Sequence, residues 1–349
     1  MLEFTTTRHN PLVDPQLAVW GWEIPLYLFV GGIVAGMMIM AGVAMLRLAR
    51  GEDSKSFLSL QTPLLAFMLL NLGMGALFLD LAHKLYVWAV YITFKPLSPM
   101  SWGSWVLLIV YAVLLASALI RLPESWPWLG ARVPALRKAS DYFVNSPPRL
   151  RWLAWANIAL GVAVGVYTGI LLNTMVARPL WNTSVLPVLF LVSGVSAAAA
   201  AVHLATVVFP GRPAPRGLIG GLLAAMTQPL GAQPPEKRTI DSVIRADMVF
   251  LAIELVLIAV MLIGLVSSSL SQLEASTLLL SGAYGMVFWG VVIVLGIVVP
   301  IVLQALELSH RIPHTVVPAI LVLVGGFALR WVLVNAGQAS EIVSTAARM

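Results

Sequence analysis

Residues 24–46 read IPLYLFVGGIVAGMMIMAGVAML, and this stretch decides the fold class. It holds no charged residue over 23 positions, which is enough for an α-helix to cross about 30 Å of hydrocarbon. The chain of 349 residues is 60% hydrophobic and 10% charged, whereas a soluble domain is about 25% charged. Similar apolar stretches lie at 60–82, 102–121, 153–176, 184–208, 247–269, 280–305 and 315–338. The sequence therefore predicts an all-α membrane protein with eight transmembrane helices.

Basic residues are unevenly divided between the two sets of loops. The loops after odd-numbered spans hold 15 Lys and Arg, with Arg121 counted among them, and the other loops and the termini hold 5. Because loops rich in Lys and Arg stay in the cytoplasm, we predict that both termini are non-cytoplasmic. The basic residues behind the net charge of +6 lie mainly in the loops on one side of the membrane, which the membrane orientation explains. No nucleic-acid partner is therefore expected. The first 20 residues lack a basic and apolar leader, which predicts no cleaved signal peptide.

A weak internal repeat supports a division into two halves. Residues 25–36 read PLYLFVGGIVAG and residues 187–198 read PVLFLVSGVSAA. Two four-helix bundles in parallel orientation would explain this likeness, although two apolar helices can also resemble each other by chance. The predicted first bundle covers about 20–176, within a segment 1–209 that includes the start of the second, and the predicted second bundle covers 184–349.

Glycines at a spacing of four predict close contacts between helices. They are Gly32 and Gly36 in the first span and Gly161, Gly165 and Gly169 in the fourth. Tyr167 lies between two of these glycines and therefore points away from their seam, towards lipid or a cavity. The long basic segments 122–150 and 209–245 are rich in Pro, Arg and Gly and are expected to be cytoplasmic connectors.

Polar residues gather at one end of the predicted helices. If successive helices cross the membrane in opposite directions, all of these residues lie at its non-cytoplasmic surface. In a bacterium, this is the periplasmic surface. Ionisable groups at membrane depth are costly and usually functional. The residues are Glu23, Tyr27, Asp80, His83, Lys84, Tyr167 and Arg178.

Each part of this cluster has a functional and a structural interpretation. Glu23 and Tyr27 share a helix face, where a carboxylate can exchange protons and a hydroxyl can donate a hydrogen bond. A helix dipole also favours an acid at this position. His83 and Lys84 suit a helix C-terminus, whereas Asp80 lies a turn deeper and needs a partner.

Two further segments belong to the same outer surface. Arg178 can extend to the interface or bind a soluble partner, and we favour a functional role for Tyr167. Segment 85–101 is rich in aromatic residues, which indicates an interfacial belt or a lid over a ligand.

Three charged residues lie deeper in the second half of the chain. Asp247 and Glu254 share one face of the sixth span, and Arg330 lies inside the eighth. They can neutralise one another between helices or form a proton path from the cytoplasm. A haem is not expected, because His83 and His203 fall at opposite ends of the bundle. Without cysteine, the chain holds no iron–sulfur cluster of its own.

A site of Tyr, Glu and His between apolar walls suits a quinone, whose oxygens need hydrogen-bond donors and proton exchange. The candidate catalytic residues are Glu23 and Tyr167. The candidate residues for binding the cofactor are Tyr27, Asp80, His83, Lys84, Tyr167 and Arg178. A transport protein that moves protons or a solute, or a passive membrane anchor, is the alternative. The residues alone do not separate these functions.

Several runs resemble the polysulphide-reductase-type, or NrfD-like, membrane subunits of quinone-linked respiratory enzymes. They are WGWEIPLYLFVGGIVAG, LFLDLAHKLYVW, FKPLSPMSWGSW, VYTGILLNTMVARPLWN and LVGGFALRWVLVNAGQ. The resemblance covers nearly all spans, and FKPLSPMSWGSW and RPLWN are its most specific parts.

The resemblance implies a quinone, menaquinone or ubiquinone, bound near the outer surface of the bacterial inner membrane. It implies a quinone bond from Tyr167 and places Tyr27 where one branch has a histidine. Glu23 matches an acid common in other branches, and LDLAHK departs from the family's usual LDLGRP. The implied partners are membrane lipid, an iron–sulfur (ferredoxin-like) subunit, and a molybdenum, hydrogenase or multihaem catalytic subunit.

Overall fold

The structure is a computed structural model that describes residues 20–52, 60–125, 127–208 and 237–341. These residues form helices, turns and loops, and no strand occurs among them. Eight helices are long and apolar enough to cross a membrane, which confirms the predicted fold class. They are α1 (Glu23–Leu48), α2 (Thr62–Asp80), α3 (Pro99–Ser125), α4 (Pro147–Asn173), α5 (Leu186–Val208), α6 (Lys237–Val266), α7 (Val287–Leu308) and α8 (Val317–Ala339).

Some helix boundaries differ from the predicted ones for local reasons. α4 begins at Pro147, six residues early, because proline suits the first turn of a helix. The predicted start of the seventh span at 280 is wrong. A separate helix, Leu270–Leu280, ends there, and α7 starts only at Val287 after a turn that contains two glycines. The first half of α7, Val287–Val298, is a π-helix.

The connecting segments also carry structure. The predicted connector 122–150 contains two short helices, Pro127–Arg132 and Pro134–Val144. The other long connector lies largely outside the described residues, which resume at 237. At the opposite end, the aromatic segment after α2 forms a 3₁₀ turn, Lys84–Tyr86, and a short helix, Val87–Ile92.

α1 and α5 lie at the centre of the molecule and are the most buried of the eight helices. α1 packs against α2, α4, α5 and α8, while α5 packs against α4, α6 and α8. α3 completes the first group through α2 and α4, and α7 completes the second through α6 and α8. The repeat and the membrane orientation stay predictions.

Glycines allow the central helices to approach closely, as their spacing predicts. A Cβ on Gly32 would lie 3.3 Å from Gly194 Cα, and one on Gly36 would lie 2.8 Å from the Gly194 carbonyl oxygen. A Cβ on Gly161 would lie 2.7 Å from the Ala35 carbonyl oxygen. α1 is therefore held against α5 on one side and α4 on the other.

Candidate functional site

Three tyrosines from different elements meet near one end of the first four helices. Tyr27 belongs to α1, Tyr167 to α4 and Tyr91 to the short helix Val87–Ile92. Tyr167 and Tyr91 both lie close enough to Tyr27 to interact with it electrostatically. Tyr27 is buried and the other two are half-buried. The structure thus brings the predicted residues Tyr27 and Tyr167 together, and we call the three residues the tyrosine cluster.

The depth of the tyrosine cluster follows from helix geometry. Tyr27 lies four residues after the start of α1, and Tyr167 lies six residues before the end of α4. At 1.5 Å per residue, both lie roughly 6–9 Å from the helix ends. Such a position is within the membrane but within reach of the aqueous surface.

Gly103 of α3 determines where the Tyr167 side chain lies. A Cβ at position 103 would overlap the Tyr167 hydroxyl oxygen and the ring carbon that carries it. The phenol therefore packs directly on the α3 backbone. Tyr167 therefore points to α3 and Tyr27 and not to lipid, and the cavity that was the alternative to lipid stays a prediction.

Gly103→Ala is expected to slow the activity of the site, because the added methyl group must displace the Tyr167 hydroxyl. Overpacking of this kind costs roughly 1–3 kcal/mol, about five- to hundredfold if it falls on the reacting geometry. The measurement is the rate of quinol oxidation, the reaction that the sequence analysis leads us to expect at this site. Gly75→Ala on α2 is the matched control, since a Cβ there meets no atom within 4 Å. Equal rates for both variants would contradict the placement of Tyr167.

The FKPLSPMSWGSW run holds the third tyrosine in place. Ser101 Oγ accepts a hydrogen bond from the Lys95 backbone N–H at 3.0 Å and donates one to the Thr93 carbonyl at 3.2 Å. Ser104 Oγ donates to the Val90 carbonyl at 3.2 Å. The first turns of α3 therefore fasten the end of helix Val87–Ile92 over the bundle.

Tyr91 is not among the predicted site residues, because its aromatic neighbours point to an interfacial belt. The distance along the chain between Tyr91 and the serines of the FKPLSPMSWGSW run does not predict that these segments are in contact. Burial raises the pKa of the Tyr91 hydroxyl, so this group stays a protonated hydrogen-bond donor at neutral pH.

The hydroxyl groups of Tyr27 and Tyr167 have no hydrogen-bond partner within the described part of the chain. A hydroxyl that lacks a partner in such surroundings favours a ligand with an acceptor oxygen. The surrounding residues are apolar: Val30 and Gly73 lie beside Tyr27, and Leu107 and Val164 belong to the adjacent core. This donor set suits an apolar molecule that carries carbonyl oxygens.

Two carboxyl groups lie at the outer edge of the tyrosine cluster. Glu23 is one turn before Tyr27 on α1, and its side chain folds against Gly21. Asp80, the last residue of α2, is close enough to Glu23 for the two carboxyl groups to interact. Both are half-buried. The structure therefore places a pair of carboxyl groups at the helix ends, next to the tyrosine cluster.

His83 and Lys84 lie further out than the carboxyl pair. Both side chains are exposed, and the His83 ring packs edge-on against Tyr86 at 6.5 Å between centroids. Their predicted role as ligands of a cofactor stays a prediction. Their position at the surface also suits contact with lipid or with a soluble protein.

Arg178 is buried and belongs to a different contact. Its guanidinium donates to the carbonyl oxygens of Gln338 at 3.0 Å and Ser340 at 2.9 Å. In the same RPLWN run, the Trp181 indole N–H donates to the Leu333 carbonyl at 2.7 Å. These bonds join the turn between α4 and α5 to the end of α8. They favour a structural role for Arg178, and its predicted role in ligand binding stays a prediction.

The deeper charged residues lie in the second group of helices. Arg330 on α8 donates to the Ser193 hydroxyl and to the Phe190 carbonyl at 3.2 Å, both on α5. Glu254 of α6 lies close enough to Ser193 and to Arg330 to interact electrostatically with both. The three buried residues therefore form one group in which an acid and a base lie near each other.

Asp247 has neutral partners instead. Its carboxylate accepts hydrogen bonds from Ser196 of α5 and Gln304 of α7, both at 2.6 Å. All three side chains are buried. Asp247 and Glu254 therefore share a helix face, as predicted, but each has its own set of partners.

α1 separates these deeper groups from the tyrosine cluster. Tyr27 faces Gly73 of α2, whereas Gly32 faces Arg330, with the Arg330 Nη2 atom 3.2 Å from a Cβ placed on Gly32. Five helical residues turn the side-chain direction by about 140°. The two groups of polar residues therefore lie on different sides of the central helix.

Comparison with known proteins supports the resemblance to NrfD-like subunits over most of the chain. The polysulfide reductase C subunit of Wolinella succinogenes is 29% identical over 331 residues, which cover 92% of this chain and 94% of that protein. Protein NrfD of Escherichia coli is 27% identical, with 92% and 95% covered. The selenate reductase C subunit of Mesobacillus selenatarsenatis is 25% identical, with 90% and 73% covered. The family described as "Polysulphide reductase, NrfD" matches residues 10–227 and 216–341, so the chain belongs to the NrfD family of membrane proteins.

Proposed function

We propose that this chain is the quinone- or quinol-reactive membrane subunit of a multisubunit respiratory oxidoreductase. Two of its relatives are named as subunits of polysulfide and selenate reductases. The observation that carries the proposal is the tyrosine cluster, in which two hydroxyl groups without a hydrogen-bond partner among the described residues lie among apolar side chains, beside a pair of carboxyl groups.

The residues of the cluster fit a quinone. A bound quinone would supply an exchange of two electrons and two protons. Tyr167 and Tyr27 donate hydrogen bonds to its oxygens, and the apolar side chains around them exclude water from the ring. Glu23 and Asp80 carry protons between the cluster and the outer aqueous phase. Menaquinone and ubiquinone both present the oxygens that this donor set requires.

Electrons need a second protein, because the chain contains no cysteine and therefore no iron–sulfur cluster of its own. We place an iron–sulfur, ferredoxin-like subunit on the outer, periplasmic face, next to the tyrosine cluster. It serves a catalytic subunit that holds molybdenum, a hydrogenase centre or several haems. The assembly lies in the bacterial inner membrane, and the bundle of about residues 20–176 carries the quinone site.

Purification of the intact complex tests this function. Quinone and iron–sulfur subunits that co-purify with the chain are the expected result. An isolated, quinone-free protein that transports protons or a solute would instead support the transport alternative. If the chain is instead a passive membrane anchor, substitutions in the tyrosine cluster should leave quinol turnover intact.

Glu23→Gln is expected to slow quinol turnover more than it weakens binding at the quinone site. The amide keeps the shape of the side chain but cannot ionise, and a positioned proton carrier contributes roughly 10²- to 10⁴-fold. Turnover and the affinity of a quinone-site inhibitor are measured on the same preparation. Glu274→Gln, in the helix Leu270–Leu280, controls for the loss of an acid. Weaker inhibitor binding with intact turnover would show that Glu23 has another role.

A further inference from the structure

The segment between α3 and α4 presents basic residues at the end of the bundle that the loop charges place in the cytoplasm. Four cations with exposed side chains lie on the helix Pro134–Val144, which we call the connector helix, and on the first turns of α4. Within the described residues, none of them forms an ion pair with an acid. We call them the basic surface; they are Arg137, Lys138, Arg149 and Arg151.

The charge of this surface is strongly one-sided. Asp141 is the only acid between residues 134 and 151, so four cations and one acid leave a net charge of +3. Glu124, before the connector helix, lies 2.9 Å from the Arg121 guanidinium and is already neutralised. The basic surface therefore complements a partner that carries negative charge.

The connector helix is fixed on the bundle by one side. Ser140, Phe143 and Val144 recur at the spacing of a single helix face. Ser140 is buried, and the other two pack against a core that α1, α3 and α4 form together. The exposed side chains of Arg137 and Lys138 occupy the rest of the helix surface. Their position relative to the bundle is therefore set by packing.

A contact between a cation and a ring joins the connector helix to α4. The guanidinium carbon of Arg149 lies 3.7 Å from the centre of the Tyr142 ring, and Arg149 Nη1 donates to the Tyr142 carbonyl at 3.1 Å. Tyr142 is four residues after Lys138, so these two side chains are neighbours on the helix. The cations of the connector helix and those of α4 therefore belong to one continuous surface.

Helix length places this surface at the level of the lipid headgroups. α4 has 27 residues, which is about 40 Å, whereas the hydrocarbon layer is about 30 Å thick. A centred helix of this length extends roughly 5 Å beyond the hydrocarbon at each end. Arg149 and Arg151 lie within about 6 Å of the start of α4, so their guanidinium groups reach the headgroup layer.

Two exposed tryptophans lie directly below these arginines. The side chain of Trp152 is 79% exposed and that of Trp155 is 58% exposed. At about 100° per residue, the two are about 60° apart around α4, with Arg149 on one side of them and Arg151 on the other. Tryptophan is typical of the boundary between headgroups and acyl chains. One side of α4 thus offers guanidinium groups to a phosphate and indole rings to the glycerol beneath it.

The preference of basic loops for the cytoplasm does not by itself explain this arrangement. That preference requires Lys and Arg in the loop but no particular position for them. Arg245, exposed near the start of α6, satisfies it on a helix that has no tryptophan. An acidic soluble protein or a free phosphate ion would use the cations of the basic surface but not the indole rings that face lipid.

We propose that the basic surface binds the headgroup of an anionic phospholipid in the cytoplasmic leaflet. Arg149 and Arg151 bind the phosphate, Lys138 adds its charge from the connector helix, and Trp152 and Trp155 pack on the glycerol and the upper acyl chains. The headgroup carries a net negative charge, because the cation of a zwitterionic headgroup offsets its own phosphate. This lipid site lies at the opposite end of α4 from Tyr167 and does not depend on quinone chemistry.

Quenching of tryptophan fluorescence by phospholipids with brominated acyl chains tests the lipid site. The complex is placed in phosphatidylcholine nanodiscs, and brominated phosphatidylglycerol is compared with brominated phosphatidylcholine. We expect phosphatidylglycerol to bind preferentially. Lys138→Gln and Arg151→Gln should each lower this preference about fivefold, the contribution of one basic residue near an anionic membrane surface. Both side chains are exposed, so neither change should affect folding.

Arg245→Gln is the matched control, because it removes an exposed cation at the same end of the molecule and should leave the preference unchanged. Combined Trp152→Phe and Trp155→Phe should remove the quenching that is specific to phosphatidylglycerol. Its persistence in that variant would contradict the site. Equal quenching of the wild-type complex by both lipids, or a wild-type preference in Arg151→Gln, would overturn the proposal. Relief of the specific quenching by inorganic phosphate would assign the surface to a free anion and overturn it as well.

Discussion

Tyr167→Phe is expected to slow quinol turnover about ten- to hundredfold in a complex that still assembles. The change removes only the hydroxyl oxygen, so the ring continues to pack on Gly103. A buried hydrogen bond contributes roughly 0.5–1.5 kcal/mol when neutral and about 1.5–3 kcal/mol when its partner is charged. Charge develops on the quinone oxygen during the reaction, which places the loss at the upper end, and each 1.36 kcal/mol is about tenfold in rate.

Steady-state quinol oxidation with excess electron acceptor provides the measurement for Tyr167→Phe. Tyr142→Phe removes the same atom from an exposed tyrosine in the helix Pro134–Val144 and should have no effect on turnover. Quinol kinetics in Tyr167→Phe that match wild type would refute a hydrogen bond to quinone and favour the transport or anchor alternative.

Glu254→Gln is expected to destabilise the protein by up to about 3–5 kcal/mol, the cost of breaking a buried ion pair in direct contact, because it removes the carboxylate that interacts with the buried Arg330 guanidinium. Arg330 is fully buried, and its remaining partners are the Ser193 hydroxyl and two carbonyl oxygens. These neutral acceptors compensate for only part of the lost charge. The thermal unfolding midpoint and the yield of assembled complex are the measurements.

A double variant separates pairing from other effects of Glu254→Gln. Glu254→Gln combined with Arg330→Gln removes both charges and should recover most of the lost stability, as a coupled pair requires. An additive loss in the double variant would contradict the pair. If Glu254→Gln assembles fully, the membrane potential in proteoliposomes becomes informative. A potential equal to that of wild type would then exclude Glu254 from any proton path.

Only part of the tyrosine cluster can be predicted from the sequence. Tyr27 and Tyr167 lie at predictable depths, because helix length and the alternation of direction locate each residue along the membrane normal. The sequence does not reveal Tyr91, since its place depends on serine contacts between a loop helix and α3. The close packing of Tyr167 on Gly103 also depends on the rotation of two helices about their axes.

The contacts of charged residues are harder still to derive from sequence. Arg178 follows Tyr167 closely along the chain and is predicted beside a ligand, but the structure places its guanidinium on carbonyl groups 160 and 162 residues away. The contacts of Glu307 are not predicted from the sequence either. The structure places its carboxylate 3.7 Å from His314 Nδ1, and Gln304, one turn earlier on α7, donates to Asp247.

The sequence by itself determines the membrane class, the helical fold and the number of spans, because transfer of apolar residues from water to lipid is a local property of each stretch. The tertiary structure alone decides which polar groups meet. Side-chain partners depend on helix rotation, crossing and neighbours, and these arise from packing between residues far apart in the chain. That packing places Tyr27 and Arg330 on different sides of α1.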